Sequence, residues 1–374
     1  MIPRILQQTI LKRLSKGKAI ILLGPRQTGK TTLLTSIADV QGDYLTLNCD
    51  DLFIREQLEK CSLQVIKQLI GSHKLVLVDE AQRAKNIGLT LKLIIDNLKH
   101  VQLLVSGSSA LELANEINEP LTGRKWEYML YPISWREYCN HFGNLQGMQQ
   151  LEQRLVFGMY PEVINSIGNE VEVLKLISDS YLYKDLLSYK GIRKPELLHK
   201  LLKALAFQVG SEVSYNELSN SLQIDKNTVS NYIDLLEKAF VIFKLQPLSR
   251  NLRNEISTTR KIYFYDNGIR NILINNTNPL EYRNDIGALW ENFLISERVK
   301  HTHYVLVYSN CYFWRTHQQK EIDYIEERDG VFHAYEFKWN QRKKSKLPEL
   351  FSQNYQNVDF RVIDQENYFE FLGL

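Results

Sequence analysis

Short apolar runs alternate with amphipathic stretches through roughly the first 130 residues of this 374-residue chain. Such alternation is typical of parallel strands joined by helices, because the helices cover both faces of the sheet. In Leu89–Leu98 the apolar residues recur every three or four positions, which predicts a helix with one buried face. The other predicted elements are the strands Lys18–Leu23, Tyr44–Asn48, Leu75–Val78, Gln102–Ser106 and Trp126–Leu130 and the helices Thr31–Ala38 and Leu63–Ile70. This part is therefore predicted to be an α/β domain with a parallel sheet.

After Pro132 the pattern becomes mainly helical, and Gly158-Met159-Tyr160-Pro161 marks its clearest break. Further on, the helical stretches Tyr215–Leu222 and Lys226–Ala239 have the spacing of a helix-turn-helix, with Asp225 well placed as the N-cap of the second helix. Pairing of the two β-like runs that follow would complete a winged helix. These runs are Val241–Leu245 and Lys261–Tyr265.

A helix over Ile286–Lys300 and a further α/β segment follow. A chain of this length exceeds one ordinary core, so we expect more than one domain. The predicted regions are an α/β domain over residues 1–131, a helical lid or connector over 132–197, a winged-helix-like domain over 198–266 and a second α/β domain over 267–374.

Composition narrows the class of protein. Hydrophobic residues make up 44% and charged residues 24%, which is typical of a folded protein. The net charge of +3 is small, so any contact with nucleic acid would depend on local basic clusters. The four cysteines are scattered without a C-x-x-C pair, which favours a reducing compartment. The apolar stretch Ala19–Leu23 is far too short to span a membrane, so we expect a cytoplasmic protein.

The first candidate site follows the first strand. The sequence there matches G-x-x-x-x-G-K-[ST] between an apolar strand and a helix, which is the context of a P-loop. Glycine lets the backbone curl so that its N–H groups point at phosphate oxygens. Lys30 is predicted to reach the β and γ phosphates, and the Thr31 hydroxyl to bind Mg²⁺. The predicted loop consists of Gly24, Pro25, Arg26, Gln27, Thr28, Gly29, Lys30 and Thr31.

A second piece is the apolar strand Leu75–Val78, which runs into Asp79 and Glu80. After a P-loop, an aspartate at this place holds Mg²⁺ through water, and a neighbouring carboxylate polarises the attacking water. We assign the first role to Asp79 and the second to Glu80. The alternative interpretation is a strand that ends in two solvated acids.

Two further candidates lie downstream. The strand Gln102–Ser106 runs into a small polar loop, Ser106-Gly107-Ser108-Ser109, where a polar side chain could lie beside the γ-phosphate. Arg124 could act as an arginine finger, in its own chain or in a neighbouring subunit. The alternatives are an ordinary turn and an ordinary surface arginine.

A third cluster is predicted near the end of the sequence. Two alternating segments around the turn Arg328-Asp329-Gly330 predict a hairpin, which places Glu336 and Lys338 on one face near Asp323 of the neighbouring strand. Carboxylates that hold Mg²⁺ and a lysine that positions the nucleophile are what metal-dependent phosphodiester cleavage requires. Glu291 on the preceding helix could complete this cluster. The alternative interpretation is a solvated cross-strand ion pair.

Several of these motifs occur in the order seen in one group of prokaryotic AAA-type ATPases, which the chain resembles over nearly its whole length. The motifs are Asp79-Glu80-Ala81-Gln82-Arg83, Ser106-Gly107-Ser108-Ser109, Leu121-Thr122-Gly123-Arg124 and Tyr131-Pro132-Ile133-Ser134. Members of that group carry a P-loop domain followed by a winged helix and a restriction-endonuclease-like domain of unassigned function.

The resemblance implies ATP as the nucleotide, Mg²⁺ as its cofactor, a sensor at Ser108 and a finger at Arg124. The D…E-x-K pattern of Asp323, Glu336 and Lys338 also resembles the restriction-endonuclease superfamily. DNA contact by the predicted winged helix is the weaker expectation, because its second helix carries little basic charge. A structural or subunit-packing role is favoured for that module.

The sequence leaves three hypotheses open. The first is a Mg²⁺-dependent ATPase whose nucleotide state controls a nucleic-acid-directed, nuclease-like domain. The second is a non-catalytic switch, in which ATP stabilises one domain arrangement and the C-terminal region binds a partner. The third, a kinase, is disfavoured because Asp79-Glu80 indicates hydrolysis and no acceptor site is evident. A finger acting in trans would require a homo-oligomer.

Overall fold

The computed structural model describes residues 1–107, 115–179, 194–249, 260–316, 318–340 and 345–374. The chain forms two compact units. The first consists of Met1–Ile133 with Lys238–Phe240, and the second of Ser134–Glu237 with Val241–Leu374.

The first unit is built on a parallel sheet of five strands in the order β2-β3-β4-β1-β5. The apolar runs β1 and β3 are buried at every position, as expected for strands covered on both faces. The strands are β1 (Ala19–Leu23), β2 (Leu45–Asn48), β3 (Leu75–Asp79), β4 (Gln102–Gly107) and β5 (Lys125–Met129). All five predicted strands are therefore present, within about a residue of their predicted bounds.

Helices connect these strands. The predicted apolar face of α5 is buried at Leu91, Ile94 and Ile95. The helix α3 was not predicted; it begins after Asp51, whose carboxylate accepts hydrogen bonds from the backbone N–H groups of Phe53 and Ile54. The helices are α1 (Leu6–Leu11), α2 (Lys30–Gln41), α3 (Leu52–Glu59), α4 (Leu63–Ile70), α5 (Ile87–Asn97) and α6 (Asn115–Asn118), with a 3₁₀ turn at Ala81–Arg83. The predicted α/β fold of this region is confirmed.

The second unit begins with a helical region, as predicted. Its first described helices are α7 (Trp135–Phe142), α8 (Asn144–Phe157), α9 (Pro161–Asn165), α10 (Glu170–Ser178) and α11 (Pro195–Phe207). The break at Gly158 has a specific cause. This residue has φ of 74°, and a Cβ atom on it would lie 2.1 Å from the buried Asp266 carboxylate. That carboxylate accepts a hydrogen bond from the Met159 N–H at 2.6 Å, so the loop is fixed to Asp266.

The predicted helix-turn-helix residues form α12 (Tyr215–Leu222) and α13 (Lys226–Lys238). Asp225 caps the second helix, accepting hydrogen bonds from the N–H groups of Asn227 at 2.8 Å and Thr228 at 3.0 Å. The two β-like runs that follow pair antiparallel as β7 (Ile242–Pro247) and β8 (Arg260–Phe264). Arg250 and Arg253, which the sequence placed between these strands, lie outside the described residues.

The second unit has one seven-stranded sheet, in the order β12-β11-β10-β9-β7-β8-β6. Its other strands are β6 (Glu212–Val213), β9 (Asn310–Arg315), β10 (Glu321–Arg328), β11 (Val331–Phe337) and β12 (Val358–Ile363), and its other helices are α14 (Asn267–Leu273), α15 (Ile286–Val305), α16 (Glu349–Asn354) and α17 (Tyr368–Phe371), with a 3₁₀ turn at Leu280–Tyr282. Strand β7 pairs in parallel with β9. The predicted boundary between residues 266 and 267 therefore divides a single sheet.

The predicted hairpin of β10 and β11 is present, with Asp329 and Gly330 at positive φ in its turn. Trp314, Ile322 and Phe351 belong to the apolar cluster on this sheet. Within the described part of the chain, no helix combines the length and apolar character needed to cross a membrane.

Candidate functional site

The P-loop connects the carboxyl end of β1 to the first residue of α2. Gly24 and Gly29 both have positive φ, at 151° and 88°. A Cβ atom on Gly24 would lie 2.1 Å from the carbonyl oxygen of Leu130, so the backbone there approaches the end of β5 too closely for any side chain. The loop therefore requires glycine for close packing at its first position and for a left-handed backbone at Gly29.

Lys30 is buried against the loop it follows. Its Nζ donates hydrogen bonds to the carbonyl oxygens of Gly24 at 3.0 Å and Pro25 at 2.7 Å. The Thr28 hydroxyl donates to the same Pro25 oxygen at 2.9 Å. The ammonium group thus lies inside the turn of the loop.

Asp79, the last residue of β3, contacts both the P-loop helix α2 and the neighbouring strand β4. Its carboxylate oxygens accept hydrogen bonds from the Thr31 hydroxyl at 2.9 and 3.1 Å, and one of them also accepts from the Ser106 hydroxyl. The carboxyl ends of neighbouring parallel strands meet at one edge of a sheet, which brings β3 and β4 together beside α2. A hydroxyl and a carboxylate are ligands that suit Mg²⁺, so Thr31 and Asp79 fit the predicted cofactor.

Glu80 follows with a left-handed backbone, at φ 50° and ψ 41°. This conformation is uncommon for a residue other than glycine and is frequent at functional sites. The Glu80 N–H donates to the Ser106 hydroxyl at 3.3 Å, and its carboxylate accepts a hydrogen bond from Gln82 Nε2 at 2.5 Å. Ser106 thus contacts the carboxylate of Asp79 and the backbone of Glu80.

The predicted sensor Ser108 lies outside the described residues. Ser106, two residues earlier and fully buried, is the described serine that contacts Asp79. Its signal in the sequence was a polar residue directly after the apolar run Leu103–Val105, at the end of the predicted strand.

Arg124 lies at the amino-terminal end of the strands, opposite to the end that carries the P-loop. It precedes β5, its carbonyl oxygen accepts the N–H of Ala19 at the start of β1, and its Nε donates to Asp96 at 2.8 Å. The P-loop and Asp79 lie instead at the carboxyl ends of the strands. Arg124 therefore lies away from the phosphate site of its own chain, which favours the second of the two predicted arrangements, a finger in trans, and the finger itself stays a prediction.

The predicted carboxylates and lysine of the second unit do come together. Asp323 on β10 accepts the Phe337 N–H at 2.8 Å, and Lys338 Nζ donates to Glu336 at 2.6 Å. Burial and the nearby Glu291 raise the pKa of Asp323 well above its usual value, and Glu336 acts in the same direction. The four residues therefore share one electrostatic environment.

A second lysine, absent from the prediction, belongs to the same cluster. Lys261 on β8 is 1% exposed, its Nζ lies 3.1 Å from Glu291 Oε1, and it also pairs with Glu321. The Tyr263 hydroxyl donates to the same Glu291 oxygen at 2.6 Å. The signal in the sequence was a lysine and a tyrosine alternating with apolar residues along one strand.

The cluster does not fit the metal that was predicted for it. Among the residues that the structure describes, no group of three or more His, Cys, Asp or Glu side chains is placed to hold a metal ion. Donors within the protein already occupy carboxylate oxygens of Glu291, Asp323 and Glu336. As arranged here, these side chains form an ion-paired network, and metal-dependent cleavage at this cluster stays a prediction.

The fold and the phosphate-site geometry define the first unit as a P-loop domain of the AAA type. In agreement, residues 16–139 match the family model described as an AAA domain. Two domains of unknown function, DUF8612 and DUF4143, match residues 148–280 and 286–369. The predicted AAA-type domain is confirmed, whereas the winged helix and the restriction-endonuclease-like domain stay predictions.

Several proteins are similar to this chain over most of its length. An uncharacterized protein of Mycobacterium tuberculosis is 27% identical over 334 residues, covering 87% of this chain and 71% of that protein. An uncharacterized protein of Haemophilus influenzae is 26% identical over 275 residues, covering 67% of this chain and 68% of that protein. A solved Walker-type ATPase of Pyrococcus abyssi has a TM-score of 0.50 at 15% identity, covering 73% of this chain and 96% of that one. At this identity the likeness shows the fold alone.

Proposed function

We propose that the chain is a Mg²⁺-dependent ATP hydrolase. The observation that carries the proposal is the contact of Asp79 with both the Thr31 and Ser106 hydroxyls at the end of the sheet where the P-loop begins. It assembles, from three separate segments, the polar groups that a nucleotide-bound metal requires. The AAA-domain match over residues 16–139 supports the same conclusion.

In this proposal Lys30 leaves the carbonyl oxygens of Gly24 and Pro25 and binds the β and γ phosphates, which offer it negative charge in place of neutral acceptors. Thr31 and Asp79 would hold Mg²⁺, which would neutralise charge that develops on the phosphates. Glu80 accepts a proton from the attacking water, while Ser106 orients the Asp79 carboxylate and holds the backbone N–H of Glu80.

The test is ATP binding and turnover by the full chain. Wild type is expected to bind ATP and release phosphate in the presence of Mg²⁺. Lys30→Ala is expected to lose measurable ATP binding, because no other described P-loop side chain supplies an ammonium to the phosphates. Lys60→Ala, at an exposed lysine of the same unit, is the matched control. Equal ATP affinity in wild type and Lys30→Ala would contradict the assignment.

Two functions were predicted for the second unit, a nuclease controlled by ATP and a partner-binding domain of a switch. One observation favours the second. Lys261 and Lys338 bond the carboxylates that metal-dependent DNA cleavage would need. This favours the nucleotide-dependent switch, in which the second unit binds a partner, over control of a nuclease. A nucleic-acid partner is still allowed, since binding DNA requires no metal.

The two functions are distinguished by incubating the protein with linear, single-stranded and branched DNA, with Mg²⁺ or Mn²⁺, and with or without ATP. The switch predicts no cleavage under any of these conditions. Cleavage that disappears in both Asp323→Ala and Lys338→Ala would overturn it and restore the nuclease. Cleavage that persists in both variants would indicate a contaminant.

A further inference from the structure

An arginine near the start of the chain bonds a backbone carbonyl of the P-loop. Arg4 is 7% exposed, and its Nη1 donates to the carbonyl oxygen of Thr28 at 2.7 Å. Its Nη2 donates to the carbonyl oxygen of Tyr131 at 2.6 Å. Arg4 precedes the residues matched by the AAA-domain model and belongs to none of the motifs described above.

The segment that Arg4 attaches to the loop is itself packed against it. The Leu130 N–H donates to the carbonyl oxygen of Leu23 at 2.8 Å, immediately before the loop begins. The Leu130 carbonyl faces Gly24 so closely that no Cβ fits between them. The segment after β5 thus supports the loop directly at Gly24, and through Arg4 at Thr28.

The peptide unit between Thr28 and Gly29 gives this contact a consequence for the nucleotide. In a planar trans peptide the C=O and the following N–H point in opposite directions. A guanidinium that holds the Thr28 carbonyl therefore also fixes the direction of the Gly29 N–H. P-loops bind phosphate through such N–H groups, so the direction of this one affects affinity.

We propose that Arg4 is a positioning residue for the nucleotide: its guanidinium fixes the Thr28–Gly29 peptide of the P-loop by anchoring it to Tyr131. The inference rests on the proposed ATP site. Nη1 and Nη2 of the planar Arg4 guanidinium each donate one hydrogen bond, so the fixed angle between them sets the position of Thr28 relative to Tyr131. A lysine presents one ammonium and does not reproduce the fork.

The experiment measures ATP Kd, KM and kcat for Arg4→Met and Arg4→Lys in the full chain, well below the Tm of each. Arg4→Met is expected to raise Kd and KM at least tenfold with a smaller change in kcat, since the Gly29 N–H contacts phosphate before and during the reaction. Arg4→Lys is expected to be intermediate. Arg13→Met, which removes an arginine stacked on Trp126 in the same unit, is the matched control and is expected to leave Kd unchanged.

A purely structural role would lower Tm and leave Kd and KM unchanged below it, and that result for Arg4→Met would overturn the inference. Arg4→Lys with wild-type Kd would also overturn it, because charge alone would then suffice. If Arg4→Met does not fold, the Kd and KM of folded Arg4→Lys decide between the same outcomes. Absence of ATP binding by wild type would instead refute the proposed function, so the two failures are distinguishable.

Discussion

The two polar clusters of the molecule use similar residues in opposite ways. In the first unit Lys30 bonds backbone carbonyls, and the Asp79 carboxylate accepts hydrogen bonds from the hydroxyls of Thr31 and Ser106. In the second unit Lys261 and Lys338 bond carboxylates directly. A phosphate can replace a carbonyl as the partner of an ammonium at little cost, whereas breaking a buried ion pair is expensive.

The difference shows why motif residues alone do not define a site. Both clusters contain acids at or near strand ends and a lysine close in sequence or space. In the first, the carbonyl oxygens of Gly24 and Pro25 that accept from Lys30 are neutral groups, which an anionic ligand can replace. In the second, Lys261 and Lys338 are already paired with carboxylates of the same cluster, so a ligand would have to break ion pairs to enter it.

The largest expected effect is a loss of stability when the ion-paired cluster of the second unit is disrupted. Lys261→Met leaves Glu291 and Glu321 without their buried cation, and removing one partner of such a network costs about 3–5 kcal/mol. We expect the free energy of unfolding, measured with urea, to fall by about that amount. The exposed Lys320→Met is the control, with an expected change of about 0.5 kcal/mol or less. An unchanged stability for Lys261→Met would show that the network does not stabilise the unit.

The network also shows what the sequence could and could not predict. Periodicity located the strands, the P-loop and the β10–β11 hairpin, because these depend on neighbouring residues. It did not find Lys261 as a partner of Glu291, since that contact requires β8 and α15 to meet through the shared sheet. Nor could it show that Arg124 and the P-loop lie at opposite ends of the strands, because this depends on the direction of all five strands.

A smaller effect is expected on ATP hydrolysis when the contacts of Asp79 in the first unit are weakened. Ser106→Ala removes one hydroxyl that bonds both Asp79 and the Glu80 N–H. Loss of a hydrogen bond to a charged group corresponds to about a tenfold decrease in kcat/KM for ATP. Ser36→Ala is the control, because this α2 serine donates its hydroxyl to the carbonyl oxygen of Leu33 within the same helix. Unchanged kcat/KM in Ser106→Ala would exclude Ser106 from the site.

A third effect concerns the pH dependence of stability in the second unit. Burial, with the nearby charges of Arg298 and Arg136, lowers the pKa of His301 to about 4. An unfolded histidine has a pKa of about 6.5, so between these values the unfolded chain binds a proton that the folded one does not. Stability should therefore fall as pH decreases from about 6.5 toward 4. His301→Gln should flatten this part of the unfolding curve, and exposed His100→Gln is the control. An equal slope in His301→Gln and wild type would contradict the assignment.

The central claim is that the cluster around Asp79 hydrolyses ATP with Glu80 as the base. The most direct measurement compares phosphate release from ATP by wild type and by Glu80→Gln at saturating ATP and Mg²⁺, together with the Kd of each for ATP. The account predicts nearly unchanged Kd and a decrease in kcat of at least about a hundredfold, because the amide keeps the shape of the side chain and cannot accept the proton. Equal phosphate release by the two proteins would contradict it.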